Sequence, residues 1–129
     1  MALTKTPATI IAAATSNGSG STTRGTVDLR TIYGGILTVK ITNGGTGPTV
    51  QAQANVLIAH NSGATPTAGS AGTDWKTVAQ WGNGTTANTV GEFSMVVDPA
   101  ICHLEVEVTG NTGQAVTCEA FITELAALA

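Results

Sequence analysis

Short runs of β-branched and apolar residues recur along the whole sequence, and each run is closed by glycine, asparagine or proline. Such runs predict strands, because Thr, Val and Ile fit a pleated surface and the closing residues favour tight turns. No long stretch repeats its apolar residues with the 3.6-residue period of a helix. The predicted strands are Ala8–Thr15, Thr22–Leu29, Ile36–Asn43, Thr49–His60, Trp75–Trp81, Val90–Val97, Leu104–Gly110 and Ala115–Leu125.

Eight short strands separated by Gly- and Pro-rich turns predict an all-β, antiparallel β-sandwich. A jelly roll has this number of strands, and an immunoglobulin-like sandwich is the alternative. The chain of 129 residues is long enough for one domain, predicted to span residues 1–129. Residues 1–7 are predicted as an N-terminal arm, residues 124–129 as a C-terminal tail, and Asn61–Asp74 as a surface loop.

The composition excludes two classes of partner. The net charge is −3, and the five basic residues are scattered, so the chain is not expected to bind nucleic acid. No run reaches the roughly 18 apolar residues that a membrane span needs, so no membrane partner is expected. Charged residues make up only 10%, whereas there are 23 threonines, a composition that suits β-strands joined by tight turns.

The last two predicted strands read as a β-hairpin closed by "NTG" at Asn111–Gly113, a sequence that suits a three-residue loop. Its register gives one wholly apolar face with the pairs Val108–Val116, Val106–Cys118, Leu104–Ala120 and Cys102–Ile122. The two cysteines would then lie roughly 13 Å apart along the strands, beyond the roughly 7 Å that a disulfide allows. We therefore predict two free, buried thiols in a protein that is not made for an oxidising compartment.

The other face of this predicted hairpin is unusual. Glu105 would lie opposite Glu119, and like charges so placed are destabilising. A solvated surface tolerates that cost, and a bridging cation would relieve it, although glutamates on a flat sheet enclose an ion poorly. A protein partner that supplies basic groups and covers Phe121 would account for both oddities. The predicted partner-binding residues are His103, Glu105, Glu119 and Phe121, with Leu125 and Leu128 of the tail.

Catalytic motifs are absent from the sequence. The two histidines, His60 and His103, have no HxH or HExxH spacing for a metal, and no GxSxG motif is present. The glycine-rich "NGGTGP" lacks the lysine of a phosphate-binding loop and precedes a strand, so it predicts a turn. We therefore predict a non-enzymatic protein with no catalytic residues, no metal, no cofactor and no small-molecule ligand.

Two tryptophans leave an alternative open. Trp75 and Trp81 lie six residues apart, so a regular strand would turn both side chains to the same side. Paired exposed aromatics can stack on sugar rings, which would suit a carbohydrate-binding module. The plainer interpretation is that both tryptophans fill the core, because large aromatic side chains dominate core energetics.

Three segments carry a resemblance to a known group of proteins: "TVDLRTIYGGILTVKITNGGTGPTV" (Thr26–Val50), "DWKTVAQW" (Asp74–Trp81) and "LEVEVTGNTGQAVTCEAFI" (Leu104–Ile122). With them the chain resembles small virion proteins of tailed bacteriophages, most of all capsid cement or decoration proteins. The resemblance implies a β-sandwich or jelly roll that binds the outside of the capsid and bridges its subunits. The implied partners are the major capsid protein and neighbouring copies of the chain, with a homotrimer as one arrangement. The implied location is the capsid surface, after assembly in the bacterial cytoplasm; similar domains also occur in tails, baseplates and fibres.

Overall fold

The computed structural model describes residues 3–64, 66–67, 69 and 74–128, and it confirms the all-β prediction. Among these residues every regular element is a strand. None of them forms a helix with the length and apolar character that a membrane crossing requires. The strands are β1 (Leu3–Asn17), β2 (Thr23–Asp28), β3 (Gly35–Asn43), β4 (Gln53–Ala59), β5 (Trp75–Gly82), β6 (Val90–Val97), β7 (His103–Thr109) and β8 (Val116–Leu128).

The strands form two four-stranded sheets with the topology of a jelly roll. Sheet A has the order β1-β8-β3-β6, and sheet B has the order β2-β7-β4-β5. The strands form four nested antiparallel pairs, the pattern of one long hairpin that has been rolled up: β1–β8, β2–β7, β3–β6 and β4–β5. Of the two predicted alternatives, the fold is therefore the jelly roll.

The core lies between the two sheets and follows the two-residue period of the strands. In β3, Leu37, Val39 and Ile41 are fully buried, whereas the residues between them point away from the core. Further buried residues come from both sheets: Ala54, Val56, Leu104, Val106, Val108, Val116, Cys118, Ala120 and Ile122. Alternation along the sequence therefore located the core correctly.

The predicted final hairpin is wrong. β7 pairs with β2 and β4, whereas β8 pairs with β1 and β3, so the two strands lie in different sheets. The predicted pairs from Val108–Val116 to Cys102–Ile122 are therefore not cross-strand neighbours. Most of these residues do face the core, but from opposite sides of it. A pattern of alternation fixes which face is buried, and it leaves open which strand is the neighbour.

A buried asparagine explains why the chain crosses between the sheets after β7. The Asn111 side chain is fully buried, and its Nδ2 donates to the carbonyls of Asn17 at 3.1 Å and Gln114 at 2.9 Å. Its Oδ1 accepts from Asn17 Nδ2 at 2.6 Å. These bonds fasten residues 110–115 to the end of β1, and they replace the bonds that a tight hairpin would have made.

The predicted arm and tail lie in strands that pair with each other. Leu3 faces Leu128, and Lys5 faces Leu125, so β1 and β8 run together to their ends. Residues 3–7 and 124–128 are thus part of sheet A in this structure. The division of the chain into a domain, an arm and a tail stays a prediction.

The cysteines are free, as predicted. Cys118 is buried in the core, whereas Cys102 is only half-buried just before β7. The predicted separation along one hairpin does not apply, because Cys118 belongs to sheet A and Cys102 leads into sheet B. Burial raises the pKa of the Cys118 thiol.

Candidate functional site

An apolar groove lies at one end of the outer face of sheet A, with a volume of about 590 Å³. Ile36 on β3 lies directly opposite Val96 on β6, and both side chains point away from the core. Val96 is 73% exposed and Ile36 is 49% exposed. The groove is lined by Lys5, Tyr33, Gly35, Ile36, Val96, Val97, Pro99, Thr123 and Leu125.

The "YGG" turn of the sequence builds one wall of this groove. Gly34 has φ +81°, and a Cβ there would lie 2.2 Å from the Val97 carbonyl oxygen, so the position requires glycine. The Tyr33 N–H donates to the Leu125 carbonyl at 2.8 Å, and the Leu125 N–H donates to the Gly34 carbonyl at 2.9 Å. The two bonds hold the half-exposed Tyr33 ring beside Leu125, at the junction of β8 and β3.

Farther along the same outer face, the surface becomes polar and then charged. Phe121 lies opposite Thr38, one row away from the groove, and it is half-buried. Thr38 and Ser94 share a hydrogen bond of 2.8 Å. In the next row Lys40 Nζ lies 3.7 Å from Glu119 Oε1. The outer face of sheet A therefore changes from apolar to charged along the strands.

The outer face of sheet B carries a buried polar cluster instead. Leu57, Ala59 and Trp75 form a second small apolar cluster there, outside the main core. Glu105 lies beside Leu57 and is fully buried, with Oε1 accepting from the Gly69 N–H at 2.9 Å. Part of the loop between β4 and β5 therefore covers this face.

Three buried polar atoms of this cluster lack a hydrogen-bond partner among the described residues. They are the two ring nitrogens of the fully buried His103 and Oε2 of Glu105. Asp28 Oδ1 lies 3.7 Å from His103 Nδ1, beyond hydrogen-bond distance. Desolvation raises the pKa of Glu105, because burial disfavours its charged form.

Two arginines at the rim of the cluster bind acidic side chains. Arg24 Nε lies 3.2 Å from Glu107 Oε2. Arg30 donates to Asp28 and to the carbonyls of Ser62 and Gly63, so it ties the loop to the end of β2. The hydrogen bonds from the Arg30 guanidinium lower the pKa of Asp28 to about 2. Asp28 and Arg30 together therefore anchor the loop structurally.

Sequence comparison assigns no family: no protein-family model matches the chain, and no curated protein matches it. Solved structures share its fold. The K3 cleaved adhesin domain of Lys-gingipain from Porphyromonas gingivalis W83 is 9% identical, with a TM-score of 0.60 over 85% of this chain and 72% of that domain. A chain in the structure of infectious bursal disease virus, Gx strain, is 14% identical, with a TM-score of 0.56. This chain is covered over 98% of its length there, and it spans 33% of the viral one.

A third similar structure is that of dimeric latent PorU from Porphyromonas gingivalis, 10% identical with a TM-score of 0.54. The match covers 98% of this chain and 13% of the PorU chain. Identities this low establish a shared fold and nothing more. The same β-sandwich thus occurs in a virus structure and in bacterial adhesin domains.

The structure separates the predicted partner-binding residues into two groups. Glu105 and Glu119 lie on the two opposite outer faces of the sandwich, so their predicted juxtaposition is wrong. His103 and Glu105 are fully buried, so neither side chain is exposed to a partner in this conformation. Glu119 and Phe121 share the outer face of sheet A with Leu125, which lines the groove. Leu128 ends β8, and its side chain lies outside the described part of the chain.

The two tryptophans do not form a pair. A β-bulge at Val78, between Thr77 opposite Leu57 and Ala79 opposite Val56, reverses the side-chain direction within β5. Trp75 is 1% exposed on the outer side, and its Nε1 donates to the Thr67 carbonyl at 2.9 Å. Trp81 packs against the main core, whereas Trp75 is buried in the separate small cluster on the outer face of sheet B. The prediction that both face the same side is therefore wrong.

Sequence reasoning missed the groove itself. Ile36 and Val96 belonged to correctly predicted strands, but their exposure depends on the pairing of β3 with β6, which alternation alone does not reveal. Tyr33 stood in a turn, with no periodic signal. In the part of the chain that the structure describes, no three His, Cys, Asp or Glu side chains lie close enough together to hold a metal ion.

Proposed function

We propose that this chain is a non-enzymatic structural protein of a bacteriophage particle that binds the outside of the capsid and stabilises the shell by bridging its subunits. The observation that carries this proposal is the exposed apolar groove on sheet A. Exposed apolar patches rimmed by polar groups mark protein–protein contact sites. The proposed partners are the major capsid protein and neighbouring copies of this chain.

The character of the outer face of sheet A supports a protein partner. Tyr33, Ile36 and Val96 are each about half exposed or more, and Lys5 stands at the rim. Apolar side chains surrounded by polar ones form the usual centre and rim of an interface. A loop of a shell subunit that inserts an apolar side chain beside Tyr33 would bury this centre.

Two further features agree with the proposal. The sequence resembles phage cement proteins, and that resemblance implies a β-sandwich, which is the fold that the strands form. Free thiols suit a protein assembled in the bacterial cytoplasm and then carried on the capsid surface. The outer face of sheet B is the weaker candidate for the capsid contact, because the side chains of His103 and Glu105 on that face are buried.

A carbohydrate-binding module of a tail, fibre or baseplate is the alternative. It would require an exposed aromatic platform, and neither Trp75 nor Trp81 supplies one, because Trp75 is buried and Trp81 packs on the core. Two aromatic side chains, the half-exposed Tyr33 and the half-buried Phe121, remain on the outer side of sheet A. The alternative therefore has less support than the capsid proposal.

The experiment that tests the proposal adds purified protein back to phage shells stripped of their small proteins. Bound copies are counted after sedimentation, and Ile36→Asp is compared with Val50→Asp. Both residues are about half exposed, but Val50 lies outside the groove. We expect saturation at a stoichiometry comparable to that of the shell subunit, with binding lost in Ile36→Asp and kept in Val50→Asp. An absence of binding, or equal binding by both variants, would contradict the proposal.

A further inference from the structure

Of the four sheet edges, the free edge of β6 is the least protected against pairing with a strand of another molecule. A sheet edge exposes unpaired N–H and C=O groups, and proteins usually block it with Lys, Pro, bulges or short strands. β6 runs over Val90–Val97 at the end of sheet A, and it pairs with β3 in an unbroken register. Its sequence, "VGEFSMVV", contains neither Lys nor Pro.

The other three edges are all blocked. β1 has Lys5, Pro7 and several register shifts against β8. β2 has only six residues. β5 begins with Trp75-Lys76 and contains the bulge. Each of these devices opposes edge-to-edge pairing, so β6 differs from the other edge strands of the same molecule.

The hydrogen bonds between β3 and β6 show which backbone groups point outward. The Asn43 N–H donates to the Thr89 carbonyl at 2.9 Å, so at Asn43 the N–H of β3 points toward the β6 side of the sheet. Backbone groups alternate in direction along an antiparallel ladder, so the hydrogen-bonded pairs of β3 with β6 fall at Gly91, Phe93 and Met95. The intervening residues direct their N–H and C=O groups away from the sheet; they are Val90, Glu92, Ser94 and Val96.

A second observation agrees with this alternation. The Thr38 and Ser94 hydroxyls lie 2.8 Å apart, as expected of a pair without backbone hydrogen bonds, in which the side chains approach more closely. Among the described residues, no backbone hydrogen bond from Val90, Glu92, Ser94 or Val96 leads anywhere else in the chain. Their polar groups face outward along the whole length of β6.

We propose that β6 is a homodimerisation edge, at which the β6 strands of two copies pair antiparallel about a twofold axis and join both A sheets into one continuous sheet. The proposed function names neighbouring copies of this chain as partners on the shell; the β6 contact goes beyond it, because it joins two copies in solution before any shell is present. A twofold interface must be self-complementary. The sequence of β6 meets this condition in one register.

In that register, the twofold axis passes between the two Phe93 residues. Val90 of one copy then faces Val96 of the other, and Glu92 faces Ser94. The four outward-directed residues of each strand all become hydrogen-bonded pairs, with about eight backbone hydrogen bonds in total. The two exposed valines cover each other at both ends, and the like charges of the Glu92 side chains are not directly opposite.

The partly open core beside this edge gives the second copy something to cover. Phe93 and Met95 point inward but are only partly buried, and they pack against the core at its margin. Val90 and Val96 on the outer side are 54% and 73% exposed. A strand added at this edge would shield apolar side chains on both faces of β6, in addition to satisfying its backbone.

The experiment measures the mass of the full chain in solution by sedimentation equilibrium over a range of concentrations. We expect dimers that dissociate on dilution. Val90→Lys and Val96→Glu, made singly, should each weaken the dimer about tenfold or more, because each places a charge opposite valine in both symmetric pairs. The double variant Val90→Lys/Val96→Glu should recover to within about threefold of the wild type, because opposite charges then face each other across the axis.

Rescue in the double variant cannot arise within one copy. Val90 and Val96 are six residues apart on one extended strand, roughly 20 Å. The matched control is Val50→Lys, since Val50 is equally exposed but lies outside β6, and it should dimerise like the wild type. Both single variants should keep the circular dichroism spectrum of the wild type, because the two valines are exposed in the isolated chain.

Amide hydrogen exchange tests the pairing directly. In dilute solution, protection should alternate along β6, with the amides of Gly91, Phe93 and Met95 slow and those of Glu92 and Ser94 fast. At high concentration all of them should become slow. A monomer at every concentration up to about 1 mM would overturn the proposal. A trimer, a dimer indifferent to both valine substitutions, or alternation that persists at high concentration would do the same.

Discussion

The indole of Trp81 on β5 lies directly against the backbone of Gly91 on β6, and this contact joins the two sheets at one side of the sandwich. A Cβ at position 91 would lie 2.3 Å from Trp81 Cζ2 and 2.3 Å from Asn83 Oδ1. Neither neighbour has an obvious way to move, since Trp81 packs on the core and Asn83 is buried. Glycine at this position is a requirement of close packing, and its φ is not in the left-handed region.

Gly91→Ala should therefore destabilise the protein by about 2 kcal/mol, because an extra methyl group in a packed site forces side chains from their rotamers. Urea denaturation at a fixed low protein concentration would measure the loss. Gly45→Ala is the matched control, since a Cβ at Gly45 meets nothing within 4 Å. The control should stay within about 1 kcal/mol of the wild type. Equal stability of the two variants would show that the Trp81–Gly91 contact is not tight.

Asn111→Ala should cost about 2 kcal/mol or more of unfolding free energy. The variant removes the side-chain hydrogen bonds to Asn17, Gly18 and Gln114 at a fully buried position. Asn111→Asp should be no better, because a carboxylate cannot donate to the backbone carbonyls of these residues. Chemical denaturation of both variants checks this. If Asn111→Asp were as stable as the wild type, the donated hydrogen bonds would not be what fastens this end of the sandwich.

These asparagines show where the sequence was informative and where it was not. An Asn-Gly dipeptide is a turn signal; Asn17 ends β1 and Asn83 follows β5, each directly before a glycine. The sequence does not show that these asparagines form buried pairs, Asn17 with Asn111 and Asn83 with Asn43. Each pair joins residues at least 40 positions apart, and a local pattern carries no information about such a contact.

The same distinction applies to the strands. Alternation predicted the position of each strand and the core-facing residues of β3, β7 and β8, because the direction of a side chain follows the two-residue period. It did not predict that His103 and Glu105, on the opposite face of β7, are buried as well. Alternation did not predict the neighbours of β7 and β8, because these depend on long-range pairing. It also did not predict the direction of Trp75, because this depends on a single bulge in β5. The candidate groove depends on pairing too, so it became visible only in the structure.

The stability of the protein should depend on pH through Glu105. Its pKa is raised in the folded state by burial, so the folded chain binds this proton more tightly than the unfolded chain. The contribution of Glu105 is therefore most favourable below its ordinary value of about 4.5, and it is lost as the pH rises through the raised pKa. Glu105→Gln keeps an acceptor for the Gly69 N–H and removes the charge.

We therefore expect Glu105→Gln to gain stability relative to the wild type as the pH is raised from 4.5 to 7, in urea titrations at several pH values. Glu124, whose pKa is also raised by burial, is present in both proteins, so its effect cancels in the difference. Glu92→Gln, at an exposed carboxylate, is the control and should run parallel to the wild type. A constant difference between Glu105→Gln and the wild type would show that Glu105 is not desolvated.

The thiols should react at different rates. Cys102 is half-buried, whereas Cys118 is buried and its pKa is raised, so less of it is thiolate and less of it is accessible. A thiol reagent such as iodoacetamide should label Cys102 in the native protein and label Cys118 only on unfolding. Peptide mapping would identify the site. Cys102→Ser should abolish native-state labelling, and labelling that persists in that variant would contradict the burial of Cys118.

Phe121 tests how far a capsid contact extends beyond the groove. It lies one row from Ile36 and Thr123, and the charged row of Lys40 and Glu119 follows on its other side. If a partner covers the groove and the next row, Phe121→Ser should weaken attachment to stripped shells about tenfold, whereas Lys40→Gln should leave it unchanged. Because Phe121 is half-buried, its variant should also lose about 1 kcal/mol of unfolding free energy.

Attachment and stability must therefore be measured on the same preparations, with shell binding assayed well below the thermal midpoint of each variant. Ile36→Asp gives the reference for a loss at the centre of the groove, since Ile36 is 49% exposed and contributes less to the core. Weak binding by Ile36→Asp with normal binding by Phe121→Ser would confine the contact to the groove. Normal binding by both, at full stability, would move the contact away from the outer face of sheet A, to the loop-covered face of sheet B or to a sheet edge.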